Sequence, residues 1–186
     1  MTTIIGIDPG KSGGIAILNT ENNVVLAEKM PATLGDLDHI LNHQGFYDSR
    51  VFVEKVNPGP KMGSSAAFKF GHGCGALAMA LIAGEKHHEY VTPQKWQKEF
   101  GLIVTGRGLG QDDTAKKNRN KARAQELFPG IKITHAIADA LLIAEYGRRT
   151  LAARKRRVML VRCENCRRVY DDASRWTAAK MEESEE

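Results

Sequence analysis

Ile4-Ile5-Gly6-Ile7-Asp8-Pro9-Gly10, followed by Ser12-Gly13-Gly14-Ile15-Ala16-Ile17-Leu18, is the stretch of sequence that decides the fold. Two apolar runs separated by Pro-Gly and Gly-Gly predict two strands joined by a turn. The first strand ends on Asp8, which places a carboxylate at the rim of a buried sheet. An unpaired charge is costly there, and a metal ion or a bound phosphate network would offset that cost.

The rest of the chain alternates apolar runs with segments of helical spacing, a pattern typical of an α/β domain. Strands are predicted at residues 3–8, 13–19, 24–27, 51–54 and 89–91, the first three as an antiparallel meander. Helices are predicted at residues 33–43, 64–82, 93–100, 114–128 and 137–146. Gly71, Gly73 and Gly75 predict a close backbone contact or a break within the second helix, because an interior glycine costs about 1 kcal/mol.

The chain has 186 residues, a formal net charge of +5 and an isoelectric point near 9.2. This length suits one domain with a core, which we place at residues 1–150. The composition becomes Arg-rich after Gly147, so residues 151–186 are predicted to form a basic appendage with a Cys-x-x-Cys pair and an acidic tail. The positive charge is compatible with an acidic partner, and equally with ordinary surface charge.

No part of the sequence predicts secretion or insertion into a membrane. The N-terminus lacks a basic leader region, and no apolar run approaches the roughly 20 residues of a membrane span. Three cysteines, one of them isolated, do not make a disulfide framework. We therefore expect an intracellular protein in a reducing compartment.

Three carboxylates stand beside apolar runs, namely Asp8, Glu54 and Asp139. If they meet at one rim, their hard oxygen donors suit Mg²⁺, with Mn²⁺ as a substitute. Two such ions about 4 Å apart activate a water and stabilise the leaving oxygen of a phosphodiester. His135 lies four residues before Asp139 and shares its helix face, where it can serve as a fourth ligand or handle a proton.

Each of these residues also has a simpler explanation. Asp8 can cap the turn that follows it, and Glu54 can pair with Lys55. Asp139 can lie on a solvated helix face, and His135 can cap the start of the helix. The three acids together, each beside an apolar run, favour a shared site.

Four motifs resemble the RuvC family of Holliday junction resolvases, and most of all its phage-type members. They are Gly6-Ile7-Asp8-Pro9-Gly10, Val53-Glu54, Lys69-Phe70-Gly71 and Ile137-Ala138-Asp139-Ala140-Leu141, in the family's order. The resemblance, over residues 3–150, implies an RNase H-like fold with a mixed five-stranded sheet flanked by helices. It also implies a homodimer, metal-dependent nicking of branched DNA at four-way junctions, and metal binding by the three acids. A phage-encoded member would act in the cytoplasm of the host cell.

The sequence departs from the family's pattern at two positions. The family's fourth ligand lies three or four residues before the last acid, and position 136 is Ala, which leaves His135 as the candidate. Bacterial members carry an aromatic residue shortly after the catalytic Glu, where this chain has Asn57. Phe68 or Phe70 can take that role, although their pattern favours the core.

A basic helix is predicted over residues 114–128, and its charges suit either DNA phosphates or solvent. The residues predicted to contact DNA are Lys98, Arg107, Lys116, Lys117, Lys121 and Arg123. Among them, Lys98 and either Lys116 or Lys117 resemble basic residues that the family uses near the scissile phosphate. Trp96 is predicted to lie in the core, with base stacking as the alternative.

Cys163-Glu164-Asn165-Cys166 resembles half of a zinc ribbon. Structural zinc takes four ligands, so two subunits would each have to contribute Cys163 and Cys166. The alternative is a pair without metal on a tail. A redox role is disfavoured, because no thioredoxin-like pattern surrounds the pair.

The sequence therefore predicts a crossover junction endodeoxyribonuclease that uses two metal ions. Two other functions stay open: another RNase H-like nuclease acting on hybrids or flaps, and a non-catalytic junction-binding protein. The Asp8-Pro9-Gly10 hairpin also resembles the phosphate-binding hairpin of actin-like ATPases and sugar kinases. That class needs two such domains and a second Gly-rich phosphate motif, and this chain is too short for the first and lacks the second.

Overall fold

The computed structural model describes residues 2–21, 23–46, 48–59, 62–104 and 113–159. The strands are β1 (Thr3–Asp8), β2 (Gly14–Asn19), β3 (Val24–Lys29), β4 (Ser49–Glu54) and β5 (His87–Val91). The helices are α1 (Leu34–Asp38), α2 (Ser64–Ala83), α3 (Pro93–Glu99), α4 (Asp113–Leu127) and α5 (His135–Met159), with a π-helical turn at His39–His43 after α1. The chain divides by contacts into two units, Met1–Arg148 and Arg149–Glu186. The predicted domain boundary at residue 150 stays a prediction.

The five strands form one mixed sheet in the order β3-β2-β1-β4-β5. β1 pairs antiparallel with β2, and β2 with β3, which confirms the predicted meander. β1 pairs in parallel with β4, and β4 with β5. Parallel neighbours need a crossover connection, and α2 supplies it between β4 and β5. The predicted class, α/β with a mixed five-stranded sheet flanked by helices, is confirmed.

The side chains of β1 alternate between two helical layers. Ile5 and Ile7 join the core on one face, together with Leu77 of α2. Gly6 points to the other face, where an added Cβ would lie 2.3 Å from the carbonyl oxygen of Ala140 in α5. The backbones of β1 and α5 therefore approach so closely that only a glycine fits between them.

The last helix is longer than predicted, because α5 continues to Met159 rather than ending near residue 146. The prediction ended there since glycine is a weak helix former. At Gly147 an added Cβ would lie 2.3 Å from a ring carbon of Phe52. The glycine is therefore a packing contact between α5 and β4, and the helix runs through it.

The glycines of α2 were expected to mark a close backbone contact or a break, and among the described residues of this single chain neither is found. The helix is continuous from Ser64 to Ala83. A Cβ added at Gly71, Gly73 or Gly75 would meet nothing within 4 Å. The glycines lie on parts of the helix that the described residues leave uncovered.

The outer side of α2 is apolar. Leu77 and Leu81 are its buried residues, whereas Phe68, expected in the core, is 75 % exposed. By length and composition α2 also passes the test for a membrane span, with a mean hydropathy of 1.4. The sequence prediction missed this, because the alanines of α2 raise the mean hydropathy without forming an obvious run of large side chains. One stripe of α2 nevertheless belongs to the core of this domain.

Candidate active site

Asp8 and Glu54 end two neighbouring parallel strands. β1 and β4 are in register at Ile7 and Val53, so the next residue of each strand, Asp8 and Glu54, lies beside the other. Ile7 and Val53 point into the core on the α2 side, and alternation turns the two acids toward the α5 side. The two carboxyl groups lie within hydrogen-bonding reach of each other, and a bond between them requires one of them to keep a proton and donate it.

Asp139 reaches the same place from α5. Ala136 and Ala140 lie on either side of Asp139 in the helix. The carbonyl oxygen of Ala136 would lie 2.5 Å from a Cβ added at Gly14, and that of Ala140 would lie 2.3 Å from a Cβ added at Gly6. The first turns of α5 thus lie directly over the β1–β2 hairpin. The negative charge of Asp139 acts on both Asp8 and Glu54. Two strand ends and one helix therefore bring the three predicted acids into one cluster.

Burial and mutual repulsion keep protons on this cluster. Burial, with repulsion from Glu54 and Asp139, raises the pKa of Asp8 from 3.8 to about 8. Burial also raises the pKa of Glu54 and that of Asp139. The cluster carries fewer than three negative charges at neutral pH, and a nearby cation would favour its full ionisation.

Two buried side chains donate hydrogen bonds to the acids. Trp96 Nε1 donates to Glu54 Oε1 at 3.0 Å, and Asn120 Nδ2 donates to Asp139 Oδ1 at 2.8 Å. Both donors are almost fully buried, at 0 % and 2 % exposure. Each donor therefore bonds to one oxygen of its acid, Oε1 of Glu54 or Oδ1 of Asp139.

The sequence interpretation missed the role of both donors. It placed Trp96 in the core, which is correct for the ring, but a buried indole N–H also needs an acceptor. Asn120 lies four residues before the buried Ala124, on the inward stripe of α4. A polar residue on such a stripe is itself a signal, because buried polar groups find hydrogen-bond partners.

Three predicted basic or titratable residues lie close enough to act on the acids. The positive charges of Lys116 and Lys117 lower the pKa of Asp139 and so partly offset the effect of burial, and the charge of His135 acts in the same direction. His135 is the exposed first residue of α5, one turn before Asp139, and its Nε2 is 3.0 Å from Asn118 Oδ1.

The other predicted DNA contacts lie elsewhere or are not described. Lys98 is exposed near the end of α3. Lys121 is half-buried on α4, and Arg123 on the same helix pairs with Glu126 at 2.7 Å. Arg107, Cys163 and Cys166 lie outside the described residues.

The donor set fits a hard divalent cation. Carboxylate oxygens are the ligands that Mg²⁺ and Mn²⁺ prefer, and a cation would relieve the repulsion among three half-buried acids. Among the residues that the structure describes, no three His, Cys, Asp or Glu side chains already have the arrangement of a formed metal site. The acids are therefore close neighbours whose side chains would draw together around a cation.

Neither a protein-family model nor a curated protein matches the chain. Among solved structures, the chain is similar to T. thermophilus RuvC in complex with a Holliday junction substrate. The TM-score is 0.59 and the identity 17 %, over 82 % of this chain and 96 % of that chain. It is also similar to another Thermus thermophilus RuvC structure, with a TM-score of 0.57 and 17 % identity over 81 % and 96 % of the two chains. At this level of identity the likeness establishes the fold, which is RuvC-like and RNase H-like.

Proposed function

We propose that this protein is a metal-dependent endonuclease that resolves four-way DNA junctions. The observation that carries the proposal is the convergence of Asp8, Glu54 and Asp139 into one half-buried acidic cluster. The RuvC structure that the chain resembles holds a Holliday junction substrate, which supports branched DNA as the partner.

In this proposal Asp8, Glu54 and Asp139 hold Mg²⁺, or Mn²⁺ in its place. When bound, the metal supplies an activated water and charge neutralisation at the phosphate. The three acids would supply the negative charge that binds the cation, and a proton held between Asp8 and Glu54 would leave to solvent as the cation binds. His135, exposed at the rim, carries a proton to or from the reacting phosphate or completes the ligand set.

The basic residues around the cluster are proposed to hold the DNA backbone. Lys116 and Lys117 sit near the start of α4, where their charges reach the acids, so a phosphate at the cluster would lie near them as well. Lys98, Arg107, Lys121 and Arg123 would extend this surface. Such contacts produce affinity that depends on salt and tells little about sequence.

A junction has two strands to cut, and we propose that a homodimer formed through α2 supplies the two sites. Phe68, Met79 and Ile82 are 75 %, 59 % and 60 % exposed, and with Gly75 they follow one helical stripe. The same stripe includes His72 and carries no Lys, Arg, Asp or Glu, so it suits an identical stripe related by a two-fold axis. Light scattering should give the mass of about two chains.

Two further properties stay proposals. Zinc shared between the Cys163 and Cys166 pairs of two subunits would appear in metal analysis as about one ion per two chains, and its absence would contradict the sharing.

An intracellular location follows from the cysteine usage and would be checked by fractionation of the source cells.

The test of the function is cleavage of a synthetic four-way junction in Mg²⁺ by wild type and by the Asp8→Asn variant. The variant should lose about 10³-fold in rate, because it removes a proposed metal ligand, while its junction binding in EDTA stays close to wild type. The matched control is Asp36→Asn on α1, an exposed acid whose carboxylate accepts a hydrogen bond from the Thr33 hydroxyl at 2.7 Å. The control should cleave normally.

The substrate panel separates the remaining functions. Flaps and RNA–DNA hybrids are run beside the junction under the same conditions. Preference for a hybrid or flap would indicate a different RNase H-like nuclease. Junction binding without divalent-dependent cleavage would indicate a binding protein. Normal cleavage by Asp8→Asn would show that the site is assigned wrongly.

A further inference from the structure

We propose that Trp96 and Asn120 are positioning residues that orient Glu54 and Asp139 for metal binding, an inference that rests on the proposed metal site. Neither residue would contact the cation or the DNA. Each would act through the acid to which it donates a hydrogen bond.

The first contact fixes Glu54 at the end of β4. Glu54 has a long side chain with several rotatable bonds, and the backbone alone does not set the direction of its carboxylate. Trp96 Nε1 donates to Oε1 at 3.0 Å, and the Trp96 ring is fully buried and therefore held in place. The bond holds Oε1, so the carboxylate is oriented for a cation that would displace the proton between Glu54 and Asp8.

The second contact fixes Asp139 on α5 in the same manner. Asn120 Nδ2 donates to Oδ1 at 2.8 Å, and Asn120 is 2 % exposed on the inward stripe of α4. Two acids on different elements thus receive one buried donor each, from two further elements. If Trp96 and Asn120 only stabilised the fold, their hydrogen bonds would not both need acceptors in the same acidic cluster.

The chemistry of the two donors also suits this role. Indole and amide N–H groups are neutral, so they orient a carboxylate without cancelling the charge that attracts a cation. A lysine or arginine in their place would hold the acid but compete with the metal. Partners of this kind beyond the ligands themselves are worth about 10- to 100-fold in metal affinity or activity.

The experiment measures Mn²⁺ binding to the full-length, DNA-free protein by calorimetry, in wild type, Trp96→Phe and Asn120→Ala. Trp96→Phe keeps an aromatic ring and removes the donor, and Asn120→Ala removes the amide. Each variant should weaken Mn²⁺ binding by about tenfold. In junction cleavage the half-saturating Mg²⁺ concentration should rise by a similar factor, with most of the maximal rate recovered at high Mg²⁺.

Two controls separate positioning from general stability. Phe100→Leu perturbs a buried aromatic residue directly after α3. Asn42→Ala removes a partly buried amide that donates to Asp38 Oδ1 at 2.7 Å and to the carbonyl of Ala80 at 3.1 Å, on the α2 side of the sheet. Both controls should lower the melting temperature and leave Mn²⁺ affinity within about twofold of wild type.

The outcomes distinguish this inference from the proposed function. Unchanged Mn²⁺ affinity in Trp96→Phe and Asn120→Ala overturns the positioning roles, even if the wild type cleaves junctions. No Mn²⁺ binding by the wild type overturns them as well. Weaker Mn²⁺ binding by the two variants supports them, even if no junction is cleaved and the proposed function fails.

Discussion

Glycines line two regions of this protein for opposite reasons. Where α5 crosses β1, an added Cβ at Gly6 would lie 2.3 Å from the backbone of both Ala140 and Ala144. Along α2, an added Cβ at Gly71, Gly73 or Gly75 would meet nothing within 4 Å. The first region is closed by packing within the chain, and the second is open toward solvent.

This difference shows which parts of the fold serve the site. Asp139 can reach Asp8 only because Gly6 and Gly14 let α5 lie directly on the sheet. The outer face of α2 contributes nothing to the acids, and its exposed Phe68 and Ile82 instead suit a partner surface. We therefore expect changes at the first region to damage the fold and the site together, and changes at the second to affect assembly alone.

The strongest test of the comparison is Gly6→Ala. The added methyl would overlap backbone atoms of α5, which cannot give way as a flexible side chain can. We expect a loss of about 3 kcal/mol in the free energy of unfolding, or roughly 6–12 °C in Tm, measured by urea and thermal unfolding. Displacement of Asp139 should also lower cleavage.

Gly73→Ala is the matched change on α2. It adds the same methyl group where nothing lies within 4 Å, and alanine favours a helix over glycine. The variant should gain about 0.5–1 kcal/mol. Equal effects of the two alanines would show that α5 does not lie on β1 as described.

A second test concerns assembly through the open face. Gly75→Glu places a charge in the middle of the Phe68–Ile82 stripe, where a dimer would have to bury it. The proposed dimer should weaken by at least about 100-fold in Kd, measured by sedimentation over a range of concentrations. The fold of each subunit should persist, because Gly75 is exposed and nothing lies within 4 Å of a Cβ added there.

The control for this variant is Gly73→Glu. At about 100° per residue it points away from the stripe, so it adds the same charge without entering the proposed interface. A dimer that resists Gly75→Glu, or dissociates equally with Gly73→Glu, would contradict the α2 interface.

The last test of the comparison is the pH dependence of stability in the closed region. Asp8 has an ordinary pKa of 3.8 that folding raises to about 8. From about pH 4 to about pH 8 the folded metal-free protein holds a proton that the unfolded chain has released, so the free energy of unfolding falls as pH rises. Asp8→Asn removes this group and should flatten the fall.

The measurement is the Tm of wild type and Asp8→Asn in EDTA across this pH range. The two Tm values should agree near pH 4, and the Tm of the variant should exceed that of wild type by a margin that grows toward pH 8. Mg²⁺ should stabilise the wild type and reduce the difference at pH 8. A parallel fall of both proteins would mean that Asp8 is not the group responsible.

The strand pattern was predictable because each strand carries its own local signal. Apolar runs broken by Pro-Gly or by polar turns appear directly in the sequence, and the meander and the five strands followed from them. The two acids at strand ends were predictable for the same reason. Asp139 became a candidate through its apolar surroundings and the RuvC resemblance, since nothing local distinguishes it from a solvated helix acid.

Other features depend on contacts between distant segments. Gly147 looks like a helix end in sequence, and only the ring of Phe52 against it explains why α5 continues. Phe68 and Phe70 follow an apolar pattern, yet the fold leaves Phe68 exposed. The hydrogen bonds from Trp96 and Asn120 join residues 42 and 19 positions apart. Local periodicity covers only a few residues, so it cannot predict pairs at such distances.

By itself, the sequence determined the strands, the hairpin at Asp8 and the two acids at strand ends, because periodicity and turn chemistry act over a few residues. Tertiary structure alone decided that α5 lies on β1 through Gly6, that the three acids share one half-buried cluster, and that two neutral donors hold two of them. It also decided that the glycines of α2 face outward. These features depend on which surfaces meet, and packing across the whole chain sets that.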